Sequence, residues 1–186
     1  MQHQLTEIIT AFERAQSRLE NLVESISAER WSICPDPTRW SAAECIAHLN
    51  LTSAAYIPRM RTAIAEARSL GAKKNDNYRR DPVGWLFSLL VGPLPSIRRK
   101  RIGAVRTPAS FVPTGNLAYQ TLVAEFKKHQ DDLIVLARES DGTPIDKVKI
   151  KSPFGERITY SCYSAFVMLP LHQQRHLDQA QEASRR

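Results

Sequence analysis

Hydrophobic positions recur at three- and four-residue intervals in four separate stretches of this 186-residue chain. A helix turns once per ~3.6 residues, so this spacing gathers them on one face and predicts core-facing helices. The first stretch runs from about Leu5 to Ile26, with Leu5, Ile8, Phe12, Ala15, Leu19, Leu22 and Ile26 on its stripe and Glu13, Arg14 and Arg18 opposite. The segment Trp31–Trp40 then breaks the pattern, because Pro35 and Pro37 cannot continue a helix and restrict the residues before them. The second stretch opens at Ser41, where Ser41-Ala-Ala-Glu44 has the form of a capping box, and runs to about Arg68. Pro58 predicts a kink or a local break inside it. The third runs from about Gly115 to Glu139 on a stripe of Tyr119, Leu122, Phe126, Leu133 and Leu136, and Asp141-Gly142-Thr143-Pro144 stops it. The fourth runs from about Tyr160 to Ser184, with Ala165, Met168, Leu169, His172, His176, Gln179 and Ala183 along one side and Pro170 predicting a kink. Before it, Lys147–Tyr160 alternates apolar and charged residues around Pro153–Gly155, as a hairpin or an extended arm would.

Four amphipathic helices separated by breakers predict an all-α fold, a four-helix bundle forming one domain over residues 1–186. The composition, 42% hydrophobic and 24% charged, supplies enough apolar surface for a core. Three cysteines (Cys34, Cys45, Cys162) without CxxC spacing argue against a disulfide framework and fit a reducing cytoplasm. The N-terminal residues lack a basic and then apolar leader, and no window approaches ~18 uninterrupted apolar residues. A cytoplasmic location is expected.

Charge changes the picture in one place, the long insertion between the second and third helices, residues 71–113. Between Gly71 and Ser110, nine positive charges (Lys73, Lys74, Arg79, Arg80, Arg98, Arg99, Lys100, Arg101, Arg106) face two negative ones, Asp76 and Asp81. The segment therefore nets +7, the formal net charge of the whole chain, and everything outside it sums to zero. Inside it lies the apolar run Trp85–Val91, which predicts a short helix near 82–91 packed against the bundle or over a site. An apolar run beside a basic cluster is the composition of an interfacial segment, but most charge runs are solvated loops. Peripheral membrane contact is not expected, nor is nucleic-acid binding, since no recognition helix stands out.

The candidate chemistry lies in the histidines. His172 and His176 are four residues apart, one turn apart on one face, and continue an apolar stripe. Two imidazoles so placed can grip one divalent ion from a rigid backbone, and a third from another helix, His48, would leave positions open for water or substrate. The plain alternative is a set of core histidines bonded to backbone carbonyls. His129 falls on the stripe of the third helix, where it either lines the cavity as a proton shuttle or is structural. Glu44 is either the capping-box acid or a residue orienting His48. Gln179 is a candidate polar wall of the site, Arg175 is expected to be solvated, and Cys45 is expected to be a small buried apolar residue.

Trp40-Ser41-x-x-Glu44-x-x-x-His48-Leu49 resembles the second-helix motif of the DinB/YfiT-like superfamily, and His172-x-x-x-His176 with Leu177 and Gln179 resembles its last-helix motif. The order of parts matches as well, including the long connection between helices two and three. The resemblance implies a four-helix bundle holding a divalent metal, commonly zinc or nickel, on three histidines that map onto His48, His172 and His176. It also implies small-molecule chemistry of the kind done by thiol-dependent S-transferases, with a low-molecular-weight thiol as cosubstrate. A metal-dependent thiol transferase or hydrolase is the expected activity. The alternative is a non-catalytic bundle that binds a ligand or partner and whose basic insertion contacts an anionic surface. A homodimer is compatible with either. No GxSxG, P-loop or dinucleotide fingerprint offers other machinery.

Overall fold

In a computed structural model, which describes residues 1–72, 77–92, 96–97, 100–101, 107–114 and 118–185, the first stripe forms helix α1 (His3–Ser25). One turn of helix, α2 (Ala28–Trp31), follows and drops Trp31 into the core. Helix α3 (Ala42–Ser69) starts at the predicted cap: the Glu44 N–H donates to Ser41 Oγ at 3.2 Å, and the Ser41 N–H donates to Glu44 Oε2 at 2.7 Å. The helix continues through Pro58 without a break. The apolar run of the insertion forms α4 (Pro82–Val91), followed by a two-residue antiparallel pair, β1 (Ser96–Ile97) and β2 (Lys100–Arg101), and a 3-10 turn at Ala109–Phe111. The remaining basic residues Lys73, Lys74, Arg98, Arg99 and Arg106 lie outside the described residues. Helix α5 (Tyr119–Glu139) begins at the first residue of its stripe, and residues 115–117, where its start was expected, likewise lie outside the described residues.

The segment before the last helix is a hairpin, β3 (Lys149–Ser152) with β4 (Gly155–Ser161), paired Lys149 to Ser161 and Ile150 to Tyr160. Its alternation buries Ile150 and Ser152 and exposes Lys149 and Lys151. Helix α6 (Cys162–Ser184) then runs through Pro170 to the C-terminal end. Helices α1 and α3 each pack against both α5 and α6, which sets α1 diagonally from α3 in a four-helix bundle. Helix α4 lies on α6 from outside.

The core has two apolar clusters. One gathers Phe12, Tyr56, Met60, Leu133 and Phe166; the other gathers Trp31, Ile46, Leu49, Phe126 and Leu177. Along each of three helices the passage from one cluster to the other goes through buried polar residues. On α3 these are Asn50, Thr52 and Ser53, on α5 Gln130, and on α6 His172, Gln173 and His176. Buried polar groups need partners. Gln130 and Gln173 supply each other's, with Nε2-to-Oε1 bonds of 3.0 and 2.8 Å, and Gln130 Nε2 also donates to the Phe12 carbonyl at 3.1 Å. Asn50 Nδ2 donates to the Leu122 carbonyl at 2.9 Å.

Asp81 ties α4 to the start of α6. Its Oδ1 accepts from the Gly84 N–H at 3.0 Å, capping α4, while its Oδ2 accepts from the Ser161 N–H at 2.8 Å and the Ser164 hydroxyl at 2.7 Å. Burial alone would raise this carboxyl, but these donors outweigh it and hold its pKa at about 2, against an ordinary 3.8. The folded value is the lower one, so the stabilisation is fully present above about 3.8 and is lost as pH falls towards about 2. Asp81→Ala is expected to cost about 2 kcal/mol at neutral pH, the sum of a cap and a charge-assisted bond. Urea unfolding of both proteins at pH 7 and in that acid window should find the difference shrinking with acid.

Candidate metal centre

Two helices deliver the three imidazoles to one place. His48 stands on α3, and His172 and His176 share the inward face of α6; all three are buried. Each offers a ring nitrogen, and the three atoms lie within 4.8 Å of one another. The ring centroids of His48 and His172 are 5.1 Å apart, those of His48 and His176 4.5 Å, and those of His172 and His176 4.5 Å.

The insertion sets the tautomer of His48. Its Nδ1 is 2.8 Å from the carbonyl oxygen of Phe111, which can only accept, so Nδ1 carries the proton and Nε2 presents a lone pair. That Nε2 is 3.2 Å from His172 Nε2. The Nδ1 atoms of His172 and His176 are buried with no hydrogen-bond partner.

The surroundings keep the rings neutral. Burial pushes all three pKa values down, and the positive charge of Arg175 adds to the effect, while the Phe111 carbonyl at His48 and the Gln179 side chain at His176 oppose it. Neutral imidazole is the form that ligates a metal. The donor set therefore fits a divalent ion on two counts. Ligand nitrogens about 2.0–2.1 Å from a tetrahedral ion stand roughly 3.3 Å apart, near the separation of the His48 and His172 nitrogens. Each ring also brings one nitrogen within 4.8 Å of the other two, which sets the three donors around a single point.

Aromatic rings wall the centre. Trp40 lies against His48 and stacks on His176, with centroids at 5.0 and 5.9 Å. Phe154, from the turn of the β3–β4 hairpin, touches Phe111 at 4.5 Å and lies 6.2 Å from His172. Beyond it, the buried hydroxyls of Tyr56 and Tyr160 are hydrogen-bonded to each other, and burial raises the pKa of both.

The other expected site residues fare differently. Glu44 is occupied by the helix cap and also accepts from Cys34 Sγ at 3.3 Å, while His48 takes its orientation from Phe111. His129 stays half-buried on α5 and is not among the converging imidazoles; the core-facing place beside it belongs to Gln130. Gln179 does neighbour His176. Cys45 is fully buried and outside the cluster. Arg175, expected in solvent, is instead half-buried and donates from Nη1 to the Leu90 carbonyl of α4 at 2.9 Å, because α4 covers that side of α6. Sequence reasoning missed Phe111 and Phe154. Phe111 acts through a carbonyl every residue has, and Phe154 lies in a turn whose docking no local pattern reveals.

The helical bundle brings three neutral histidines together from two helices, a donor set that could hold a divalent metal ion. The chain belongs to the DinB superfamily, whose sequence model matches residues 11–180. Curated proteins and solved structures yield no match.

Proposed function

We propose that this protein is a metal-dependent enzyme of the DinB superfamily that transfers a thiol to, or hydrolyses, a small electrophilic substrate. The observation that carries the proposal is the convergence of three neutral imidazoles within 4.8 Å in an aromatic-walled centre. His48, His172 and His176 would hold the ion, zinc or nickel being the natural occupants of a three-imidazole set, although such a set also suits iron and copper. Bound there, the ion supplies a nucleophile near neutral pH by lowering the pKa of a water or a low-molecular-weight thiol.

The chain's own residues do the rest. Phe111 locks the His48 ring through its Nδ1 proton, as a partner outside the ligand set commonly does. Trp40, Phe111 and Phe154 surround the imidazoles with apolar surface, which excludes water and strengthens each electrostatic interaction within. Arg175 contributes a fixed positive charge that favours negative charge developing on a substrate.

Elemental analysis of untagged protein should find about one equivalent of zinc or nickel, absent from a His172→Ala/His176→Ala variant. Turnover of electrophiles that requires added thiol would identify a transferase, and turnover in water alone a hydrolase. No metal uptake from excess zinc or nickel would sink the proposal.

A further inference from the structure

Helix α4 is packed the wrong way round for a helix at a protein surface. Its sequence, PVGWLFSLLV, contains a single polar side chain, Ser88. That side chain is buried, with its hydroxyl donating to the Gly84 carbonyl at 2.7 Å. The side facing α6 is built from the small residues Gly84 and Ser88, with Phe87 and Val91 at its edges. Contact there is so close that a Cβ on Gly84 would lie 2.2 Å from Ser164 Cβ. Four large apolar side chains point outward instead: Trp85 is 50% exposed, Leu86 50%, Leu89 55% and Val83 42%. Surface helices normally show the opposite arrangement, apolar inward and charged outward. A contiguous apolar face of this kind marks a surface that something covers.

Charge identifies the occupant. Arg79 and Arg80, both exposed, immediately precede the helix, and the sequence after it reads Arg98-Arg99-Lys100-Arg101. The segment around the helix nets +7 on a chain otherwise neutral. A second copy docking through the same face would bring two such segments together, against their mutual repulsion. An anionic bilayer offers both complements at once, acyl chains for Trp85, Leu86 and Leu89 and headgroups for the arginines. At ten residues α4 is about 15 Å long, too short to cross a ~30 Å hydrocarbon core but suited to lie in the interface. No described helix is long and apolar enough to cross a membrane.

We infer that α4 is a membrane-docking helix, which lays its Trp85/Leu86/Leu89 face into the surface of an anionic bilayer while Arg79 and Arg80, at its N-terminal end, engage the headgroups. This departs from the expectation drawn from composition, which favoured a solvated loop, and what changes it is the outward direction of the large side chains. Docking would place the bilayer one helix away from the histidine centre, since Leu90 of α4 accepts from Arg175 of α6.

Flotation of the full chain with vesicles tests the inference, using phosphatidylcholine alone and phosphatidylcholine with one-third phosphatidylglycerol. Binding is expected to the anionic vesicles and to weaken steeply between about 0.1 and 0.5 M salt. Arg79→Gln/Arg80→Gln should weaken it roughly thirtyfold, at about 1 kcal/mol per basic residue. Trp85→Ser/Leu89→Ser should abolish it, while the variant's melting temperature shows that the exposed substitutions leave the fold intact. Equal flotation by that variant would overturn the inference, as would failure of the parent protein to float. So would a dimer, seen by sedimentation equilibrium, that the same variant splits into monomers without any vesicle binding.

Discussion

Excess zinc or nickel should raise the melting temperature of the metal-free protein by roughly 10 °C. An ion present at a thousand times its dissociation constant adds about 4 kcal/mol to folding, and each kcal/mol moves the midpoint of a domain this size by about 2–4 °C. The stabilisation exists because the native state gathers donors that the unfolded chain scatters over 129 residues, from His48 to His176. In His172→Ala/His176→Ala the shift should vanish. The melting temperature without metal is the wrong readout for that variant, since alanine at two buried sites also leaves cavities. The metal-induced difference, read by scanning calorimetry with and without chelator, isolates ligation. A shift of equal size in the variant would mean that the ion binds elsewhere.

Gln130→Leu is expected to cost about 2–4 kcal/mol. Gln130 and Gln173 are fully buried and exchange two amide hydrogen bonds, with the Phe12 carbonyl taking a third. Replacing one partner strands the other's amide in a medium without water, and the stranded group accounts for most of the cost. Gln130→Leu/Gln173→Leu should therefore recover part of the loss, because it removes the orphan as well. Denaturant unfolding of the two single variants and the double variant closes the cycle. Additive losses would show that each glutamine acts by its shape and not through the other.

The four bundle helices were legible because their signals are local. The Leu5–Leu22 stripe, the Ser41–Glu44 cap and the Asp141–Pro144 stop each depend on residues within a few turns of one another. The His172/His176 pair was legible for the same reason, and the DinB-like motifs brought His48 to it from the far end of the chain. What stayed hidden depends on contacts between distant segments. The side of α4 that faces α6 could not be read from a run in which nearly every residue is apolar. Arg175 looked like a solvent residue until α4 covered it. Gln130, not the neighbouring His129, took the inward position on α5, and a stripe interrupted between Phe126 and Leu133 does not choose between adjacent polar residues.

The origin of the three ligands also orders their assembly in time. His172 and His176 belong to one helix, so both are in register once α6 has formed, within about a microsecond. His48 meets His172 across 124 residues of sequence, and its ring is set by Phe111 across another 63. These are contacts of high sequence separation, which close late. A folding chain would then present two nitrogens before the third arrives. On the proposed reading, an ion held by two ligands would reward only α6, whereas one held by three would reward the closed bundle, so metal capture and bundle closure would be a single coupled event at its final step.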